Sequence, residues 1–247
     1  MTRNVQPEWL DELPPADPQA IGSRRDLQRL NFWMGHRRII QRQLVNFFRK
    51  QAPRRMVELG AGDGTLMLGL AQKLSVQWPN VEIIFVDRQN LVSEKTCGAF
   101  QDLGWKTQII TTDVFEWLAR GEKTDGIVAN LFLHHFAPEK LAELFRGAAR
   151  QTTFFLACEP RRSPPALFAS RSLRLLGCNA VTRHDAVVSV RAGFADDELS
   201  QIWPGDASWQ LREKQTGLFS HLFVAQKSEQ PNSTKPAATN LNSKFQI

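Results

Sequence analysis

The chain has 247 residues, 42% of them hydrophobic, and a formal net charge of +6 at pH 7. This length and composition predict a single domain with a sizeable buried core and argue against two independent domains. The sequence has no apolar run of about 18 residues and no basic-then-apolar leader at its start, so we expect a soluble cytoplasmic protein. Its three cysteines lack metal-ligand spacing, which predicts reduced thiols and no metal site.

The positive charge is concentrated in one segment. Residues 24–50 carry a net charge of +7, and the rest of the chain carries −1. Apolar residues recur there at helical spacing between the basic ones, which predicts an amphipathic helix that is broken near Gly35. We assign residues 21–52 to a basic helical lid. The prolines and polar residues of 1–20 and the polar residues of 228–247 predict a flexible N-terminus and a disordered tail.

Between these segments, residues 53–227 alternate short apolar runs with longer helical stretches. Alternation of this kind predicts a parallel sheet with helices on both faces. The last two runs are joined by a tight turn around Gly217, which is too short for a crossover, so we expect them to form an antiparallel hairpin. The predicted strands are 56–59, 81–86, 107–110, 126–130, 153–158, 209–215 and 218–226.

A glycine-rich loop follows the first predicted strand in the sequence VELGAGDGT. Its glycines fall as G-x-G-x-G and not as the G-x-G-x-x-G of a dinucleotide site, which disfavours nicotinamide or flavin. Glu58, just before the loop, favours a ligand that carries a positive charge over a pyrophosphate. Asp87 ends the second strand, 23 residues after Gly64, at the distance of an acid that binds ribose hydroxyls. Asp113 follows the third strand, where it could bind an adenine amino group.

Each of these features also has an ordinary structural explanation. A glycine loop is often only a turn, and an acid after a strand is often a helix N-cap. Their order along the chain is what indicates a nucleotide-like site.

Taken together, VELGAGDGT, FVDRQN, TTDVFEWL and GIVANLFLHHF resemble the successive motifs of class I S-adenosylmethionine-dependent methyltransferases. The resemblance is close over residues 55–160 and implies an α/β Rossmann-like fold with seven strands, one of them antiparallel, and an extra N-terminal helix. LFLHHF resembles the small-molecule subgroup that includes quinone-biosynthesis enzymes. The implied cofactor is S-adenosylmethionine, and the implied cofactor-binding residues are Glu58, Gly60, Ala61, Gly62, Asp87, Arg88, Asp113, Val114, Asn130 and Leu131.

His134 and His135 are the candidate catalytic bases for a hydroxyl acceptor. They precede Pro138, a predicted first-turn residue of a helix whose positive end would keep an imidazole neutral near pH 7. Alternatively, one histidine packs beneath the cofactor and the other caps backbone. Arg161 or Arg162 could bind an anionic acceptor, although a solvated charge pair is the simpler interpretation.

The function predicted from sequence is methyl transfer to a small molecule, by O-methylation or on a quinone- or phenol-like metabolite. The alternative is an RNA or other nucleic-acid methyltransferase guided by the basic helix, which the absence of an added RNA-binding module disfavours. The helix could instead contact a membrane surface or act as a lid with solvated arginines. Loss of catalysis with retention of cofactor binding also stays open, as does the oligomeric state.

Overall fold

The computed structural model describes residues 1–228. Except for Ser228, the predicted tail at 228–247 lies outside the described residues. A seven-stranded sheet in the order β3-β2-β1-β4-β5-β7-β6 forms the centre of the molecule. Its strands are β1 Arg55–Leu59, β2 Glu82–Asp87, β3 Lys106–Thr111, β4 Gly126–Asn130, β5 Phe154–Pro160, β6 Trp209–Thr216 and β7 Ser220–Lys227.

Strands β1 to β5 pair in parallel, and β7 lies antiparallel between β5 and β6. The predicted fold and the predicted C-terminal hairpin are therefore confirmed. The interior strands are apolar over most of their length, and every residue of β5 is buried. Strands covered on both faces lack the alternating pattern of half-exposed strands, which explains why continuous apolar runs located them in the sequence.

Ten α-helices surround the sheet within residues 1–228. They are α1 Trp9–Glu12, α2 Pro18–Met34, α3 His36–Phe47, α4 Thr65–Leu74, α5 Glu94–Asp102, α6 Val114–Ala119, α7 Pro138–Gln151, α8 Pro164–Arg171, α9 Ala180–Ala192 and α10 Glu198–Ile202. Helices α3, α4 and α5 cover one face of the sheet with one apolar cluster, and α6, α7 and α10 cover the other with a second. No helix in the described part of the chain is long and apolar enough to span a membrane.

The basic segment forms two helices that meet at Gly35. This glycine has φ +72°, a left-handed conformation that ends α2 and begins α3 at the predicted break. Helix α2 begins earlier than the predicted lid, because Asp17 accepts hydrogen bonds from two backbone N–H groups of the first turn and Pro18 occupies its first position. Helix α2 then packs against α9, where Asp26 accepts from the backbone N–H of Asn179 at 2.9 Å.

The first 12 residues differ from the flexible segment that their composition predicts. The backbone N–H of Asn4 donates to Arg191 O at 3.0 Å. The backbone N–H groups of Trp9 and Leu10 donate to the carboxylate of Asp185 at 2.9 and 3.0 Å. Prolines and polar residues disfavour local structure. The hydrogen bonds that hold this segment are made to Asp185 and Arg191 of α9, which is distant in sequence, so local composition does not reveal them.

Candidate active site

A cavity of about 1340 Å³ opens at the carboxyl ends of the parallel strands. It lies beside β1 and β4, where the strand order reverses, the usual place for ligands in open α/β sheets. The cavity is larger than the roughly 300–1,000 Å³ of ordinary small-molecule pockets, so it has room for two ligands. Its wall is formed by residues of 5–12, 24–34, 58–66, 86–91, 112–114, 130–136, 160, 166–176, 186–190 and 219.

The glycine loop joins β1 to α4 at one end of this cavity. Gly60, Gly62 and Gly64 have φ of +65°, +54° and +72°, and the loop is anchored by a 2.9 Å bond from the N–H of Gly60 to Val86 O. Such φ values favour glycine strongly. A Cβ at Gly62 would meet nothing within 4 Å, and Gly62 lines the cavity, so the backbone there is open to a ligand.

Gly60→Ala is expected to destabilise the chain and to weaken ligand binding at the loop. The added Cβ would lie 2.2 Å from a ring carbon of Phe132, and the left-handed backbone adds strain of about 1–2 kcal/mol. Gly104→Ala is the matched control, because Gly104 has φ +74° but open space around its Cβ. Urea unfolding should show a larger loss for Gly60→Ala than for Gly104→Ala, and equal losses would contradict the predicted clash.

Glu58 supplies a buried carboxyl group at the same end of the cavity. It is only 3% exposed, and its Oε2 atom has no hydrogen-bond partner in the structure. Burial raises the pKa of Glu58 well above its usual value, and the nearby charges of Asp63 and Asp87 add to the effect. A buried carboxyl without a partner, beside two further acids, is suited to a cationic ligand that would satisfy it.

The two acids predicted at the next strand ends also line the cavity. Asp87 accepts from the backbone N–H of Gly62 and of Gln89, at 2.9 Å each, so it fixes the glycine loop while one side of its carboxylate faces the cavity. Asp113 caps α6 by accepting from the N–H of Phe115 at 2.8 Å. The capping role and the ligand-binding role of Asp113 are compatible, because each carboxylate oxygen has two lone pairs.

The remaining predicted cofactor residues are also on the cavity wall: Ala61, Arg88, Val114, Asn130 and Leu131. Leu131 has φ +53°, a strained conformation for a residue other than glycine. Strained residues of this kind are concentrated at ligand-binding and active sites. His36, the first residue of α3, orients the side chain of Asn130, because His36 Nδ1 lies 2.8 Å from Asn130 Oδ1. Burial lowers the pKa of His36 to about 4, so a neutral ring donates to Asn130 and accepts from Ser220 at 2.8 Å.

His134, one of the two candidate bases, differs in the structure from the neutral ring expected. His134 Nδ1 lies 2.8 Å from Glu159 Oε2 and its Nε2 lies 3.2 Å from Glu8 Oε1. Burial alone would lower the pKa of His134, but hydrogen bonds to Glu159 and Glu8 outweigh it and raise the pKa to about 9. His134 therefore carries a proton near pH 7 and is not a ready base. His135, only partly buried, has its Nδ1 3.1 Å from Asp11 Oδ2.

The other sequence candidates near the substrate side have structural roles. Arg162 forms two hydrogen bonds with the carboxylate of Glu198, and the exposed fractions of the two side chains are 6% and 34%, so the pair predicted to be solvated is partly buried. His184 and Asp185 lie on α9, and Asp185 accepts from the backbone N–H groups of Trp9 and Leu10. Neither arginine of the Arg161-Arg162 pair lines the cavity, and neither does His184 or Asp185.

Sequence reasoning missed three residues of this region: Glu8, His36 and Glu159. Glu159 is fully buried in β5 and accepts from the backbone N–H groups of Phe132 and Leu133 at 3.1 and 3.0 Å. A charged residue inside an otherwise apolar strand was the available signal for Glu159. No sequence pattern indicates Glu8 or His36, because their partners, His134 and Asn130, lie 126 and 94 residues away.

Comparison with known families decides the class of this site. Residues 56–153 match the model of a family described as a methyltransferase domain. Residues 56–153 are therefore a methyltransferase domain, and the protein is an S-adenosylmethionine-dependent methyltransferase. The methyltransferase domain thus includes the loop of Gly60 to Gly64, Asp87, Asp113 and the histidine pair. S-adenosylmethionine is the cofactor. Its positively charged ammonium and sulfonium groups complement the carboxyl of Glu58, whose Oε2 atom has no hydrogen-bond partner in the structure.

Solved methyltransferases share the fold. The plantazolicin methyltransferase BpumL in complex with SAH is 13% identical over 86% of this chain and 92% of its own, with a TM-score of 0.63. An O-methyltransferase family protein from Burkholderia thailandensis is 18% identical over 87% and 64%, with a TM-score of 0.52. Magnesium protoporphyrin IX methyltransferase from Synechocystis PCC 6803 is 15% identical over 91% and 90%, with a TM-score of 0.50. No curated protein sequence matches the chain.

Proposed function

We propose that this methyltransferase domain methylates a hydroxyl oxygen of a small, largely apolar acceptor, such as a phenol- or quinone-like metabolite. The observation that carries the proposal is the single cavity that joins the glycine loop at one end to an apolar region at the other. The apolar region contains Leu27, Leu30, Met34, Phe168, Leu173 and Leu176. An O-methyltransferase family protein among the solved structures of this fold supports oxygen as the acceptor atom.

The donor half of the site is formed by groups that bind without reacting. Glu58 would hold the ammonium group of the bound cofactor, the backbone at Gly62 would line its methionine moiety, and Asp87 would accept from its ribose hydroxyls. S-adenosylmethionine supplies the methyl group: the bond from sulfur to carbon breaks, the bond from carbon to oxygen forms, and the sulfonium becomes a neutral thioether. Since charge disappears in this step, a dry cavity that aligns donor and acceptor supplies much of the acceleration.

The acceptor half is covered by the N-terminal segment and by α2. Gln28 of α2 contacts the side chain of Asp63 in the glycine loop, so the predicted lid reaches across to the donor half. Glu8 and Asp11 line the cavity opposite the apolar residues, beside the histidine pair. This polar cluster is where we place the acceptor hydroxyl, and its proton must leave there as the oxygen is methylated.

Transfer of a labelled methyl group tests the proposal. The full chain is incubated with S-adenosylmethionine labelled at the methyl carbon and a panel of phenols, quinols, amines and oligonucleotides, and the products are identified by mass spectrometry. Label on an oxygen of a small apolar acceptor is the expected result. Label on amines or nucleic acid alone, with cofactor binding intact, would overturn the assignment of the acceptor.

Glu58→Gln is expected to remove a pH dependence of cofactor affinity. A cationic ammonium favours ionised Glu58, so affinity should rise with pH until a carboxyl of raised pKa has ionised, and binding should release a proton. Calorimetry in buffers of different ionisation enthalpy should detect that proton for the wild-type chain and not for Glu58→Gln. The exposed Glu94→Gln is the control, and equal proton release in all three proteins would contradict the role of Glu58.

The same substitution should stabilise the chain without ligand. Because the pKa of Glu58 is higher in the folded state, its ionisation costs stability once the pH exceeds the unfolded pKa. The gain of Glu58→Gln should grow with pH, by about 1.4 kcal/mol for each unit of pKa difference. Urea unfolding at several pH values measures it.

Charge at the cavity argues against the nucleic-acid alternative. Apart from the histidine pair, the cationic side chains among the described lining residues are Arg24 and Arg88. A channel for a polyanion would need a continuous row of such charges. The basic residues of α2 and α3 therefore support a lid better than a nucleic-acid interface.

We also expect the rim of the cavity to contact an anionic membrane. This rim is formed by Trp33 of α2 and by residues 168–175. Trp33, Phe168 and Leu175 line the cavity yet are 63%, 75% and 87% exposed, and the exposed Arg171 and Arg174 flank the last two. Flotation with vesicles containing phosphatidylglycerol should recover the chain, and Leu175→Ser together with Trp33→Ser should weaken recovery. Val76→Ser is the control, because Val76 is even more exposed, at 98%, and does not line the cavity. Recovery that is unaffected by all three changes would contradict the docking face.

A further inference from the structure

The cluster on the acceptor wall has the composition of a metal site. One side-chain ligand atom from each of Glu8, His134 and His135 lies within 4.8 Å of the other two. The cluster lines the cavity, and two of its three members are buried. Two imidazoles and one carboxylate on one side of an ion are a recurrent ligand set for divalent first-row transition metals.

The spacing of the closest pair suits a shared ion. His134 Nε2 and Glu8 Oε1 are 3.2 Å apart. Bonds of about 2.0–2.2 Å from a metal to nitrogen and oxygen place neighbouring ligand atoms roughly 3.0–3.4 Å apart, so an ion could bind both with little rearrangement. Three protein ligands would leave at least one position open toward the cavity.

Each of the three residues is also oriented by a second group, as is usual for metal ligands. Glu159 bonds Nδ1 of His134 at 2.8 Å, which directs Nε2 of that ring toward Glu8. Asp11 lies 3.1 Å from Nδ1 of His135 and leaves Nε2 as the remaining ring nitrogen. Ser189 donates to the carboxylate of Glu8.

The charges around the cluster favour a cation. Glu8, Asp11 and Glu159 bring three carboxylates to two imidazoles. Arg3 also lies near this turn and attracts Glu159, but its guanidinium donates to the backbone oxygens of His134 and Phe136. Imidazole ligands suit zinc, copper, iron or nickel better than magnesium and calcium, which prefer oxygen ligands.

We propose that Glu8, His134 and His135 bind a divalent transition-metal ion that holds the acceptor oxygen for methylation. This inference rests on the proposed O-methylation. On binding, the ion would displace the proton from Nε2 of His134 to water. It would then polarise the acceptor hydroxyl, whose proton passes to Asp11, an exposed carboxylate on the same wall, and from there to water. The site differs from the sequence expectation of no metal, because Glu8 lies 126 residues from His134 and no local spacing reveals it.

Cobalt(II) is a suitable probe, because protein-bound cobalt with nitrogen ligands absorbs visible light. The full chain, stripped with a chelator, should take up one cobalt per molecule with a visible absorption band, and zinc should displace it. Glu8→Gln and His135→Gln should each weaken uptake by at least 10-fold. Glu94→Gln, which changes an exposed glutamate on α5 outside the cavity, should bind as the wild type does.

The outcomes separate this inference from the proposed function. Equal uptake by the wild type and both cluster variants, or no uptake by any protein, would overturn the metal site. His135→Gln keeps the test valid if Glu8→Gln disturbs folding, which circular dichroism reports. Binding of S-adenosylhomocysteine is measured in parallel by calorimetry. If the metal-free chain binds S-adenosylhomocysteine and still methylates an oxygen, the metal site alone is refuted. If the chain takes up metal but transfers no methyl group, the proposed function is refuted.

Discussion

Glu159→Leu is expected to lower the free energy of unfolding by about 3–5 kcal/mol, the usual cost of removing one partner of a buried ion pair. Glu159 is fully buried and bonds both the ring of His134 and the backbone N–H groups that shape the 3₁₀ turn at Leu133–His135. Leucine fills a similar volume but leaves these donors without acceptors. Urea unfolding at pH 7 measures the loss.

A surface glutamate provides the comparison. Glu143 on α7 pairs with Lys140 at 2.8 Å, but both side chains are about half exposed, so Glu143→Leu should change stability by less than about 1 kcal/mol. Glu159→Gln should be intermediate, because an amide oxygen still accepts hydrogen bonds while the charge is lost. A Glu159→Leu chain as stable as the wild type would show that the 3₁₀ turn does not depend on this carboxylate.

Asp87→Ala is expected to weaken binding of S-adenosylhomocysteine by about 10- to 150-fold. This range corresponds to the 1.5–3 kcal/mol of a hydrogen bond to a charged group. Asp87 faces the cavity from the end of β2 and also bonds the N–H of Gly62, so the substitution removes a ligand contact and loosens the glycine loop. Isothermal calorimetry gives the dissociation constants directly.

Two further variants sharpen this measurement. Asp87→Asn keeps an acceptor for Gly62 but removes the charge, so its loss of affinity should be smaller than that of Asp87→Ala. Asp102→Ala removes an exposed acid at the end of α5, outside the cavity, and should bind the ligand normally. If Asp87→Ala binds S-adenosylhomocysteine as tightly as Asp102→Ala does, Asp87 has no part in the cofactor site.

The donor half of the site could be predicted from the sequence because its determinants are local. Gly60, Asp87 and Asp113 each stand at the end of an apolar run, and parallel strands bring such ends to one edge of a sheet. The same regularity located the seven strands, the C-terminal hairpin and the break at Gly35. Periodicity therefore predicted the fold class, and glycine spacing with the order of acids predicted a nucleotide-like ligand that carries a positive charge. The resemblance to class I methyltransferases then implied S-adenosylmethionine as that ligand.

The acceptor half was decided by tertiary structure. Glu8 reaches His134 only because the N-terminal segment is held on α9, and the two carboxylates around His134 reverse the neutral state that its position before α7 suggests. A pKa depends on burial and on charges that arrive from distant parts of the chain. The sequence by itself thus predicted the fold and the residues proposed to bind the cofactor, whereas long-range packing alone brought Glu8 and Glu159 to His134 and determined the charge of that ring.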